Sequence, residues 1–188
     1  MYSTSDFKKG LKILVDNEPY SIVDFQHVKP GKGNQFSRTK MKHLLTGSNL
    51  ERTFKSGEKF GIPDVEYQDM NYLYKDDNGF NLMNPTSFEQ ITVAEDVVGD
   101  SANYLTENLE VNVVFYNGRA VGIDVPTTVT LTVTQTDPGF KGNTVTGGTK
   151  PATLETGAVV QVPLHINEGD VLKVDTRSGE YMERVSLG

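Results

Sequence analysis

Short runs rich in Val, Ile, Thr, Phe and Tyr alternate with Gly, Asn, Asp and Pro turns along almost the whole chain. Alternation with a period of two belongs to strands whose two faces meet different surroundings, and closely spaced turns between short strands belong to barrels or sandwiches. The sequence therefore predicts an all-β protein. Residues 11–15, a turn at Asp16-Asn17-Glu18-Pro19, then residues 20–28, 36–45 and 50–54 read as successive strands of one small barrel, with Thr46-Gly47-Ser48-Asn49 turning the chain before the last of them. A boundary falls near Gly61-Ile62-Pro63, because proline cannot donate to a ladder.

Beyond that boundary, residues 65–74, the turn Lys75-Asp76-Asp77-Asn78-Gly79 and residues 80–83 predict a hairpin. Ala102, Leu105 and Leu109 stand at helical spacing and predict a short helix over residues 100–108. Residues 109–116, Asn117-Gly118 and residues 120–125 predict a second hairpin, closed by Pro126. In the last third, alternation from Val129 to Thr136 turns at Asp137-Pro138-Gly139. It resumes after a glycine-rich loop at residues 158–166, continues through 171–174 and ends in a hairpin bent at Thr176-Arg177-Ser178-Gly179. Both later segments have the length and strand number of five-stranded barrels of the oligonucleotide-binding type. The expected domains are residues 1–62, 63–127 and 128–188.

Charge changes the picture more than composition does. Of 188 residues 36% are hydrophobic and 23% charged, a globular balance. The absence of cysteine excludes disulfides and thiolate metal sites. No apolar signal region occurs near the amino terminus and no long apolar run elsewhere, so the expectation is a cytoplasmic protein without membrane association. The net charge of −7 is unevenly spread: residues 1–62 carry eleven Lys or Arg against six Asp or Glu, residues 63–126 two against twelve, and residues 127–188 five against seven. Either the first segment is attracted to phosphate while the middle is repelled, or the split is chance surface composition.

The sharpest local feature is Pro30-Gly31-Lys32-Gly33-Asn34, a turn with one long cation at its tip. Flanking glycines let Lys32 project freely. A nucleophilic lysine needs burial or nearby cations to lower its pKa, so an exposed tip argues against catalysis. It suits a charged probe or a modification site, while an ordinary solvated turn lysine is the plain alternative. Arg38, Lys40 and Lys42 recur at every second residue and so share one strand face. With Lys29 and Lys32 they form a basic strip suited to a phosphate backbone, or simply a solvated face. The run from Gly142 through Asn143, Thr144, Gly147 and Gly148 to Lys150 fails as a phosphate-binding P-loop, because Gly148 stands where lysine is required and no helix follows. It presents backbone donors to RNA or is a plain hairpin loop. His27, His43 and His165 lack zinc or triad spacing, and the acidic residues form no metal or acid-base motif. No catalytic residue, metal or cofactor is expected, and the chain does not read as an enzyme.

These residues fall into an ordered set of segments: Phe7-Lys8-Lys9-Gly10-Leu11-Lys12, Val28-Lys29-Pro30-Gly31-Lys32-Gly33, Arg52-Thr53-Phe54-Lys55-Ser56-Gly57, Lys150-Pro151-Ala152-Thr153-Leu154, Thr156-Gly157-Ala158 and Val174-Asp175-Thr176-Arg177-Ser178-Gly179-Glu180-Tyr181. From Ser5 to Val185 the chain resembles the bacterial elongation factor P family. The resemblance implies an SH3-like, KOW-type barrel followed by two OB-fold barrels in an elongated, tRNA-like arrangement. It implies binding to the 70S ribosome and its rRNA between the P and E sites. There the factor holds P-site peptidyl-tRNA in a productive geometry when translation stalls at consecutive prolines. Lys32 matches the tip that approaches the peptidyl-transferase centre. Tyr181 and Arg184 match residues near P-site tRNA and the small subunit, and Gly147-Gly148 match the loop near the E-site codon. A monomer is expected, together with a modifying enzyme for Lys32 of the lysyl-tRNA-synthetase-like ligase kind. The chain has Asn143 where the family often has Asp, and Asn34-Gln35 where its lysylated subgroup commonly has Gln-Ala. The adduct on Lys32 is thus open between β-lysyl, another amine extension and none. A single-strand RNA-binding module would show regularly spaced aromatics on a basic face, whereas the OB-like segments here are acidic. A swinging-arm carrier would flank its lysine with methionines, whereas Gly31 and Gly33 flank Lys32.

Overall fold

The computed structural model describes residues 1–139 and 148–187. Among them the strands are β1 (Tyr2–Ser3), β2 (Lys12–Val15), β3 (Glu18–Val28), β4 (Phe36–His43), β5 (Asn49–Lys55), β6 (Lys59–Phe60), β7 (Val65–Asp76), β8 (Gly79–Met83), β9 (Gln90–Val93), β10 (Glu110–Tyr116), β11 (Arg119–Asp124), β12 (Thr128–Thr136), β13 (Thr149–Leu154), β14 (Val159–Pro163), β15 (Val171–Asp175) and β16 (Glu180–Ser186). The all-β expectation holds. The chain groups into two compact units, Met1–Tyr67 with Val114–Gly122, and Gln68–Val113 with Ile123–Gly188.

β2, β3, β4 and β5 form an antiparallel sheet in that order. β1 pairs with β6, and a bridge from Leu14 to Gly61 carries the sheet round toward closure. Ile13, Ile22 and Met41 are fully buried on its inner face. Phe7 fills the middle of that core, 6.2 Å from the rings of Phe25 and Phe54 and 5.5 Å from Phe60, spacings at which aromatic edges and faces attract. The β2–β3 turn is shorter than the sequence suggested. Asp16 and Asn17 alone make it, both in the left-handed region that a two-residue hairpin demands, and Val15 pairs with Glu18. Pro19 therefore lies inside β3. The ladder with β4 ends at Tyr20 and His43, so the amide that Pro19 lacks falls just past the end of the neighbouring strand.

The second sheet runs β11-β10-β7-β8-β9. Its two hairpins turn at Asp77-Asn78 and Asn117-Gly118, where the sequence placed them. The helix does not follow the expectation over residues 100–108. An α-helix, α1, spans only Glu95–Val98, and a 3₁₀ segment follows over Gly99–Tyr104. Gly99 turns to φ 55° and ends the α-helical ladder, while Leu109 serves a strand-like contact, its carbonyl accepting from the Tyr72 amide at 2.9 Å.

The third sheet runs β14-β13-β12-β15-β16, with β14 brought close to β16 so that the sheet curls on itself around Leu131, Leu154, Val162, Ile166, Leu172 and Val174. β13 is a correction, since the sequence resumed strand structure only at residue 158. β13 tolerates Pro151 because β12 pairs with it only as far as Thr136 opposite Ala152, so again the missing amide lies beyond the neighbour's end. Tyr104 packs against this core, and the Thr156 hydroxyl donates to the Asn103 carbonyl at 2.6 Å. Burial raises the Tyr104 phenol above its ordinary value.

Candidate functional site

β3 and β4 pair up to Val28 opposite Phe36, and residues 29–35 connect them. The base of this connection is fixed. His27 Nδ1 and the Ser37 hydroxyl are 2.7 Å apart, and the Ser56 amide donates to the Gln35 carbonyl at 3.1 Å. Beyond that base Lys29, Gly31, Lys32 and Gly33 are exposed, with Pro30 half-buried. Among the described residues no carboxylate or hydrogen-bond partner engages the Lys32 ammonium. Gly33 adopts φ 106°, which an L side chain rarely tolerates. Gly31 lies outside the left-handed region, and a Cβ there would meet nothing within 4 Å.

On β4, Arg38 and Lys40 are exposed and Lys42 is half-buried, while Ser37, Thr39, Met41 and His43 are buried. The structure thus puts the three cations on one face, as the alternation predicted. It also supplies what the sequence did not: Lys40 stands in register between Asp24 on β3 and Glu51 on β5. A shallow depression lined by Asp24, Gln26, Arg38, Lys40 and Glu51 results, so the strip is interrupted by carboxylates rather than purely basic. These partners sit 16 and 11 positions from Lys40 in the chain, a pairing only the register reveals. His43 has a structural post. Its Nδ1 accepts from the amides of Leu45 and Thr46, which leaves the proton on Nε2 to be donated to Glu18 at 2.7 Å.

The second group of expected residues lies in the other compact unit. Tyr181 is half-buried against the third sheet's core, opposite Val174. Arg184 Nη1 lies 3.7 Å from the buried carboxylate of Asp170, which also accepts from the Asn167 amide at 2.8 Å. Arg184 therefore has a structural partner as well as an exposed flank. Of the expected loop, Gly148 is described and half-buried, whereas Asn143, Thr144 and Gly147 lie outside the described residues. A residue the sequence reading missed stands next to it. Lys150 is buried in the same inward row as Ala152 and Leu154, and its ammonium donates to the carbonyls of Asp137 and of Ile166, the latter at 2.6 Å. The signal was available, since a lysine at an inward position of an alternating run must find acceptors.

Among the described residues no three His, Asp or Glu side chains are placed to hold a metal ion, and no helix is long and apolar enough to cross a membrane.

Three family descriptions match the chain in order: the elongation factor P KOW-like domain over residues 3–60, the elongation factor P OB domain over 65–123, and the elongation factor P C-terminal domain over 129–184. Elongation factor P of Bdellovibrio bacteriovorus is 65% identical over 186 residues, covering 99% of each chain. That of Desulfitobacterium hafniense is 52% identical over 184 residues, covering 98% of this chain and all of the other. Among solved structures, the eukaryotic translation initiation factor 5A from Methanococcus jannaschii aligns with a TM-score of 0.41 at 20% identity, over 65% of this chain and 94% of its own. With KOW-like and OB domains matched along nearly its whole length and relatives at this level of identity, the chain belongs to the elongation factor P family of translation factors.

Proposed function

We propose that this factor binds the 70S ribosome between the P and E sites and stimulates peptide-bond formation at polyproline stalls by positioning peptidyl-tRNA. The observation that carries the reading is Lys32, an exposed cation on a hairpin whose base is fixed and whose tip no described residue engages. Such a side chain serves another molecule. Its contribution is positional: a restrained amine beside the acceptor end removes freedom that the reacting groups would otherwise lose in the transition state. The chain brings no catalytic group of its own, and the reaction remains the ribosome's.

In this reading residues 1–62 carry the working tip, with Pro30, Gly31 and Gly33 shaping it. Lys29, Arg38, Lys40 and Lys42 meet rRNA or tRNA phosphates. Residues 63–127 form the connecting module, and residues 128–188 bring Tyr181 and Arg184 to tRNA and the small subunit and the residues 143–148 loop to the E-site codon. A lysyl-tRNA-synthetase-like ligase extends Lys32, and the factor acts as a cytoplasmic monomer.

The test is translation of a triple-proline reporter on purified ribosomes, using protein isolated both with and without Lys32 modification. Proline-specific relief is expected. Lys32→Ala should keep the melting temperature and lose at least about tenfold in relief. Equal relief from that variant would refute the role of the tip.

A further inference from the structure

The connection between β8 and β9 presents an aromatic side chain that the fold itself does not use. Met83 pairs with Gln90, and residues 84–89 close the hairpin. The loop is tightly built. The Asn84 amide donates to the Glu89 carbonyl and the Phe88 amide to the Asn84 carbonyl, both at 2.9 Å, while the Asn84 side-chain oxygen accepts from the amides of Thr86 at 2.9 Å and Ser87 at 3.2 Å. Just after the turn at residues 85–87, Phe88 holds φ 62° with 70% of its surface exposed.

A bulky residue in the left-handed region is an outlier, since Asn or Gly occupies that conformation at lower cost. Burial does not repay the strain here, because the ring stays in water. Folding alone would favour a small residue at this position, so the ring is there for something outside the chain. The charge of the segment that carries it selects its kind. Residues 63–126 carry twelve acidic side chains against two basic ones, and one of the two, Lys75, is already paired with Glu95. That field repels a phosphate backbone and attracts a basic surface. An aromatic anchor amid complementary charge is the usual arrangement of a protein–protein hot spot.

We propose that the residues 84–89 loop docks the second-sheet module onto a basic protein surface, with Phe88 inserted into an apolar recess of that partner. Resting on the ribosomal reading above, the partner is one of the ribosome's basic proteins rather than its RNA. The test places a photo-crosslinking benzoylphenylalanine at position 88, and in a second preparation at Asn34 in the tip loop, with purified 70S ribosomes stalled on a triple-proline message. Position 88 should crosslink to a ribosomal protein identified by mass spectrometry. In parallel, Phe88→Asn should melt no lower than the wild type yet bind ribosomes about five- to thirtyfold more weakly. Crosslinking from position 88 to RNA alone, or silence at 88 while position 34 crosslinks, overturns the inference and leaves the ribosomal reading standing. Silence at both positions overturns the two together. A lowered melting temperature for Phe88→Asn would assign the ring to packing, and unchanged affinity would deny it a partner; either refutes the proposal.

Discussion

At Gly33 the backbone passes through φ 106°, whereas at Gly31 it does not, and a Cβ at Gly31 would have open space around it. The two glycines flanking Lys32 thus answer different demands. Gly33→Ala should strain the loop and destabilise the protein by about 1 kcal/mol, seen as an earlier urea midpoint. Gly31→Ala should leave that midpoint unchanged and reduce stall relief, because the added methyl meets only a partner. Equal behaviour of the two variants in both assays would remove the distinction. Lys150 is the opposite kind of lysine. Lys150→Met keeps its bulk but strands the carbonyl of the fully buried Ile166, at a cost of about 1–3 kcal/mol by denaturant titration. A loss well under this would mean that water replaces the ammonium.

At the scale of elements, β4 is where sequence and register have to be read together. Its alternation was legible from Arg38, Lys40 and Lys42 alone, since a strand sends every second side chain to one face. The carboxylates of Asp24 and Glu51 were not legible, because cross-strand partners depend on bulges and turn lengths fixed only in the folded sheet. Replacing both by their amides should strengthen ribosome binding and steepen its salt dependence while shifting stability by no more than about 0.5 kcal/mol. Filter binding at two salt concentrations decides this, and an unchanged affinity would mean that the β4 face meets no phosphate. The errors elsewhere share a cause. The sequence pattern puts Pro19 in a turn and residues 149–154 outside the strands, but a proline stops a ladder only on the side where its amide would have donated, and Pro19 and Pro151 both face the end of a neighbouring strand. The helix over residues 100–108 rested on three apolar positions whose burial is real for Leu105 but is achieved by an extended segment after the 3₁₀ turn. Phe88 carried no sequence signal, since an apolar residue near a strand reads as core until its backbone conformation and exposure are known.

At the scale of the molecule, the uneven charge was legible by counting, and it sets how the factor should respond to ionic strength. Affinity for ribosomes should fall as salt rises. Arg38→Gln should flatten the slope of log affinity against log salt by about 0.7–0.9, the release expected for one phosphate contact. A slope unaltered by Arg38→Gln would place that residue away from RNA. The bare Lys32 ammonium has a wider consequence. Because no described side chain touches it, folding is blind to whatever is joined to that nitrogen. On the proposed reading the barrel is a handle to which a separate enzyme fits the tool, and the handle folds the same way whichever tool it carries.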